Sequence, residues 1–305
     1  MPETVAQATR RLADSITSLV DDVVDERLGD TPNPDPKPSG PFTIFEDIRY
    51  RNGPNLRSEF GMLPIKLHYE AAFFDDKKRQ GAYENGAGAY PLPSLSRVAS
   101  VAARSPQISC VDIERYWNSP QNNGDEEIDD RAIDAYEAVL EAYDDALPRG
   151  HKFGLYSTMP IRSYWPIING NSWTHDDALW KRSNAKLKPL GELVDMTFPS
   201  IYTFYTDSAE DQRRWVKYAA AQITEAKRIA PGKPCYPFLW PTFHSGSDEH
   251  KGKPIPRHYF RLQLETCRKH ADGVVIWTLA KTKNIDFRDI PDWWNAAEDF
   301  ARATR

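Results

Sequence analysis

One short stretch of the chain combines residue types that do chemistry together: Ser109-Cys110-Val111-Asp112-Ile113-Glu114-Arg115-Tyr116-Trp117. It reads as an apolar strand that ends in two carboxylates. Side chains alternate faces along a strand, so Asp112 and Glu114 are expected on the same side. Two like charges held that close raise the proton affinity of one of them. A carboxylic acid still protonated near neutral pH, beside an ionised one, is what acid-catalysed glycoside cleavage requires. Tyr116 and Trp117 follow at once, and flat apolar rings suit the faces of sugars. A bare Asp-x-Glu is also how an edge strand with two solvated acids ends, so the surrounding elements have to decide.

Those elements fall into three regions. Residues 1–30 carry Val5, Leu12, Ile16, Leu19, Val23 and Leu28 at helical spacing, with Arg10, Arg11, Asp21, Asp22 and Glu26 on the other face. This predicts an amphipathic arm that packs on the main domain, self-associates with a second copy, or docks on a partner. Residues 31–41 hold five prolines (Pro32, Pro34, Pro36, Pro38, Pro41), and proline fixes φ and donates no backbone hydrogen bond, so an extended linker is expected. From residue 42 to 305 short apolar runs alternate with longer amphipathic segments, the pattern of α/β architecture with a parallel sheet. Seven strands are expected: Thr43–Ile48, Pro64–Tyr69, Ile108–Glu114, Lys152–Tyr156, Met196–Tyr202, Cys235–Leu239 and Gly273–Trp277. Helices are expected over Asp129–Leu147, Ala209–Ala230, Arg257–His270 and Pro291–Ala303. No glycine-rich nucleotide motif follows a strand.

This length suits a (β/α) TIM-like barrel, which takes roughly 250 residues and places its chemistry at the C-terminal strand ends. Those ends carry Tyr69 and Glu70, Asp112 and Glu114, Tyr156, Tyr202, Trp240 and Trp277. A barrel gathers them into one basin although they are far apart in sequence. Core packing is the competing explanation for each aromatic alone, but an aromatic at nearly every strand end is harder to explain that way.

Composition narrows the classes. The chain has 305 residues, 40% apolar and 27% charged, which is ordinary for a soluble globular protein. A formal charge of −5 gives no electrostatic case for nucleic acid. No apolar run reaches the length of a membrane span, and Met1 to Arg10 lack a secretion-signal pattern. Cys110, Cys235 and Cys267 are odd in number and without metal-ligand spacing, so reduced core residues are expected rather than a disulfide framework. The seven histidines are scattered; His244 and His250 fall in a polar loop that would rim the cleft. The acidic run Asp125 to Asp130 suits the N-terminal end of a helix. Neither metal nor cofactor is called for.

Several segments, in order, resemble the hyaluronidase family of glycoside hydrolases. Val111-Asp112-Ile113-Glu114-Arg115-Tyr116-Trp117 resembles the family's catalytic strand, and Phe153-Gly154-Leu155-Tyr156 with Pro160 resembles the following one. Phe198-Pro199-Ser200-Ile201-Tyr202, Pro234 to Trp240 and Ala271-Asp272-Gly273-Val274-Val275-Ile276-Trp277 resemble the later strands. The resemblance spans residues 64–280. It implies a distorted barrel with fewer than eight strands and retaining cleavage of a β-linked N-acetylhexosaminide, in which the substrate's acetamido oxygen is the nucleophile. By the same resemblance Glu114 protonates the leaving oxygen and later activates water. An ionised Asp112 orients the acetamido group, Tyr202 hydrogen-bonds near it, Tyr156 positions that sugar, and Trp277 forms the wall beneath it. The chain departs from the family at Tyr69-Glu70-Ala71 and at Thr278-Leu279-Ala280-Lys281, so the polysaccharide stays open. Two other readings stand beside this one: a cell-wall muramidase or another polysaccharide hydrolase on the same barrel, and a carbohydrate-binding barrel without activity, since fold alone does not confer catalysis.

Overall fold

A computed structural model of the chain describes residues 41–74, 93–114, 130–162, 177–245, 247 and 250–304. The expected arm, the linker up to residue 40 and the acidic run ahead of Asp130 lie outside the described residues. So do Tyr116 and Trp117.

Among the described residues eight parallel strands form two four-stranded sheets. One sheet holds β1 (Thr43–Asp47), β2 (Leu63–Pro64), β7 (Phe238–Leu239) and β8 (Gly273–Trp277), in the order β2-β1-β8-β7. The other holds β3 (Lys66–Tyr69), β4 (Ile108–Asp112), β5 (Lys152–Tyr156) and β6 (Met196–Phe198), in chain order. Alternate residues of both sheets face one another. Phe45, Leu67, Cys110, Met196, Phe238 and Val275 belong to a single buried apolar cluster, the filling of the barrel. The intervening residues Ile44, Val274 and Ile276 pack outward against helices.

The helices form the outer layer: α1 (Leu56–Phe60), α2 (Leu95–Ala102), α3 (Asp130–Ala146), α4 (Asp177–Ala185), α5 (Lys188–Leu193), α6 (Ala209–Ile229), α7 (Arg257–His270) and α8 (Trp293–Thr304). The long amphipathic segments become helices within two residues of the expected ends. In α6, Ser208 caps the first turn by accepting from the Asp211 N–H, Glu210 and Asp211 sit at the positive end, and Lys227 and Arg228 at the negative end.

The strands differ from expectation in instructive ways. The expected strand Pro64–Tyr69 is two strands, because the chain changes partner at Ile65: β2 pairs with β1 and β3 with β4. The expected strands Met196–Tyr202 and Cys235–Leu239 are short. Pro199, Pro234 and Pro237 lack a backbone donor, so a continuous ladder between β6 and β7 cannot form. Single bridges Thr197↔Cys235 and Ser200↔Phe238 join the sheets there instead. On the other side the Ile65 N–H bonds the Glu46 carbonyl at 3.2 Å. No continuous ladder closes the ring among the described residues. The result is a distorted barrel.

Two glycines permit close strand contact. A Cβ on Gly154 would lie 2.4 Å from the Met196 carbonyl, and one on Gly273 would lie 2.0 Å from the Thr43 carbonyl. Cys110, Cys235 and Cys267 are free and buried. No helix of the described residues is long and apolar enough to cross a membrane.

Gly154→Ala is expected to push β5 away from β6 and to destabilise the fold by roughly 1–3 kcal/mol, the usual cost of overpacking. A urea titration checks this; an unchanged midpoint would show that the strand spacing yields freely.

Candidate active site

The strand ladder carrying the two acids stops at Asp112, two residues earlier than expected, because side chains take over the next backbone groups. The Ile113 carbonyl accepts from the Tyr136 hydroxyl of α3 at 2.8 Å. The Glu114 N–H donates to Glu70 Oε2 at 3.1 Å. Just past the ladder the Asp112 and Glu114 carboxyls come within hydrogen-bonding reach of each other. Strand β4 lies between β3 and β5, so it is not an edge strand. The solvated-acid explanation of the motif therefore fails.

The two acids differ in environment. Asp112 is buried, at 5% exposure, whereas the Glu114 side chain is 40% exposed. Burial pushes the Asp112 carboxyl well above the usual carboxylate range; the negative charges of Glu114 and then Glu70 add to this, and Arg162 opposes it. The direction of that shift keeps a proton on Asp112. The family resemblance implies the opposite state, with Asp112 ionised and the proton on Glu114. Desolvation decides the difference: the group with less water keeps the proton. A hydrogen bond between two carboxyls itself requires one proton.

Tyr202 is the centre of the aromatic wall. It is 7% exposed, stacks on Trp277 with centroids 5.9 Å apart at 18°, and meets Trp240 edge-on at 5.6 Å. Tyr156, 6.3 Å from Tyr202, donates its hydroxyl proton to Ser200 Oγ at 3.3 Å. Burial raises both phenols, and the charge of Glu114 raises them further, so both remain neutral donors. The loop bearing Tyr202 is tied to α6: Trp215 Nε1 donates to the Ile201 carbonyl at 3.0 Å, and the Tyr218 hydroxyl to the Ser200 carbonyl at 2.9 Å. Trp277 and Trp240 are half-buried, offering ring surface to the open side. The indole of Trp277 donates to the Tyr69 hydroxyl at 3.1 Å, and Tyr69 is 38% exposed at the rim. Behind Tyr69, Arg49 grips Asp47 through two bonds of 3.0 and 2.6 Å. Glu70 stands beside the acids.

Of the expected site residues, Asp112, Glu114, Glu70, Tyr156, Tyr202, Trp240, Trp277 and Tyr69 therefore lie around one basin. Its floor is buried and its rim is open.

Arg162 joins the basin without having been singled out for it, and His244 joins it from the loop expected at the rim. Arg162 follows β5 and lies 3.7 Å from Glu114 Oε2, with its charge also acting on Asp112 and Tyr156. Nothing in the sequence beyond its place two residues after Pro160 marked it. His244, expected on the cleft rim, packs on Phe204 with ring centroids 4.0 Å apart and lies beside Tyr202 and Trp240. Burial, and then the charge of Arg162, push its imidazole down to about 4, so it stays neutral above that pH. Among the described residues no cluster of His, Cys, Asp or Glu is arranged to hold a metal.

No protein-family model matches the chain, and no curated protein matches its sequence. The fold does have solved counterparts. Bee venom hyaluronidase matches with a TM-score of 0.60 at 16% identity, over 87% of this chain and 100% of that one. Bee venom hyaluronidase in complex with a hyaluronic acid tetramer gives 0.60 at 16% identity, over 85% and 99%. A beta-mannanase from the blue mussel Mytilus edulis reaches only 0.31 at 12% identity, over 78% and 90%, which carries no argument. The chain thus shares the fold of bee venom hyaluronidase across nearly the whole length of that protein.

Holding a proton on a buried carboxyl has a stability signature. The folded value of Asp112 lies above its ordinary 3.8, so the stability it contributes is present below that pH and lost as pH rises through the folded value. Asp112→Asn, which mimics the protonated acid, is expected to raise the melting temperature at pH 8 by about 2–4 °C, the equivalent of roughly 1 kcal/mol, and by less at pH 4. Melting curves at both pH values check this; a lower melting temperature at pH 8 would mean that Asp112 is ionised in the folded protein.

Proposed function

We propose that this protein is a retaining, endo-acting glycoside hydrolase that cleaves a β-linked polysaccharide containing N-acetylhexosamine, by substrate-assisted acid/base catalysis. The observation that carries this reading is the hydrogen-bonded Asp112–Glu114 pair at the end of β4, faced by the Tyr202–Trp277 stack.

Inversion needs a water between two carboxyls set roughly 6.5–9.5 Å apart. Two carboxyls within hydrogen-bonding reach of each other are closer than that, which favours retention. Asp112 is buried and keeps a proton, which makes it a poor nucleophile. An acetamido oxygen supplied by the substrate fills that role without a protein nucleophile. Glu114, the more exposed of the two, reaches the leaving oxygen. The pair's single proton passes from Asp112 to Glu114 and on to the leaving oxygen as the glycosidic bond breaks. Asp112 is left anionic beneath the cyclic cation that forms, and Glu114 is left as a carboxylate able to take a proton from water. Each acid then does the work its environment permits: the exposed one meets the substrate, and the buried one turns into a counter-ion only when positive charge develops. Water attack, assisted by Glu114, returns the sugar with its original configuration. Tyr156 and Tyr202 are neutral donors toward the same sugar. Trp277, Trp240 and Tyr69 provide ring faces along the cleft. A muramidase reading is compatible with the acid pair; the stacked Tyr202–Trp277 wall and the hyaluronidase-like barrel favour the first reading.

Glu114→Gln keeps the shape and removes the titrating proton. It is expected to lower kcat roughly 10²–10⁴-fold with little change in fold, assayed against hyaluronan, chondroitin, chitin oligomers and peptidoglycan. Wild-type turnover by the variant would end the assignment. NMR of the first-formed product should show the β anomer. The pair must hold one proton, so activity should decline toward alkaline pH; a rate still climbing at pH 9 contradicts the mechanism.

A further inference from the structure

Glu70 follows β3 and opens a single 3-10 turn, Glu70–Ala72. The parallel register sets Tyr69 opposite Asp112, which brings the next side chain, Glu70, alongside the segment that leaves the ladder after Asp112. Its carboxylate accepts the Glu114 N–H, a donor that has no strand carbonyl to bond. A side chain has taken the place of a missing strand. The same carboxylate presents its negative charge to Asp112.

We propose that Glu70 is a positioning residue of this site: it pins the main chain of Glu114 and, through its charge, keeps the shared proton within the Asp112–Glu114 pair. The sequence placed Glu70 among substrate contacts; the geometry points it at the protein's own acids. This rests on the proposed acid/base reading for its kinetic consequence, though not for its electrostatic one.

The charges around Asp112 can be set out element by element. Glu114 continues β4, Glu70 follows β3 and Arg162 follows β5. Tyr69 ends β3, Tyr136 comes from α3, Tyr156 from β5, Tyr202 from the loop after β6, and Cys110 from β4 itself; burial raises all five, so they stay uncharged through neutral pH. Two carboxylates therefore face Asp112 against the single guanidinium among these groups. Removing the Glu70 charge leaves one against one, and the proton is released more readily.

Glu70→Gln retains an acceptor oxygen for the Glu114 N–H but loses the charge. Glu70→Ala loses both. In protein labelled with ¹³C at aspartate carboxyls, the Asp112 resonance is expected to titrate about one pH unit lower in Glu70→Gln than in wild type, a tenfold drop in proton affinity of the size one nearby charge produces. The alkaline limb of kcat should move down by the same interval with KM unmoved. Glu70→Ala should lose about tenfold more kcat than Glu70→Gln at every pH, so that the conservative variant rescues the main-chain contact. An Asp112 titration identical in wild type and Glu70→Gln overturns the proposal, as does a raised KM with an unmoved limb, which would return Glu70 to substrate binding. If the titration shifts but the wild-type protein cleaves none of the glycans, the hydrolase reading fails and the assignment of Glu70 stands.

Discussion

The site depends on one carboxyl being taken out of water. Asp112 ends a central strand, with β3 on one side, β5 on the other and the filled barrel below. Charging it there without a full set of partners is costly, so a proton remains. That proton bonds Asp112 to Glu114 and makes the two acids a single unit. Everything else around the basin either keeps that unit dry, as Tyr156 and Tyr202 do, or sets its charge balance, as Glu70 and Arg162 do.

Precision at the strand ends comes from side chains bonding main chain. Where β4 leaves its ladder, Tyr136 and Glu70 hold the carbonyl and the N–H of the single peptide unit between Ile113 and Glu114. Where β6 ends at Pro199, Trp215 and Tyr218 of α6 hold the carbonyls of Ile201 and Ser200, and so fix Tyr202. Buried side chains of an outer-layer helix thus determine the position of the Tyr202 ring. This division lets the barrel be irregular. Its seam between β6 and β7 rests on isolated bridges, yet the residues at that seam are among the best anchored.

The aromatic wall has a second tether. Trp277 is stacked on Tyr202 and hydrogen-bonded to Tyr69, whose hydroxyl also faces the Arg49–Asp47 pair. An indole held on one face and at its nitrogen has little freedom to turn. Such preorganisation suits the sugar-binding role proposed for this wall, because less ordering entropy is lost on binding.

Periodicity was enough to read the (β/α) alternation, all four long helices and most strand positions, because amphipathic helices and buried strands repeat at 3.6 and 2 residues whatever their neighbours. It also brought out Asp112, Glu114, Tyr156, Tyr202 and Trp277, since a parallel barrel collects C-terminal strand ends by its topology alone. Other things waited for the tertiary structure. The split at Ile65 is a change of strand partner, and pairing is not written in a single strand's pattern. Arg162 enters the site through distance, and no local motif encodes distance. Which acid holds the proton depends on how much water reaches each, and Asp-x-Glu reads the same whether its first carboxyl is buried or wet.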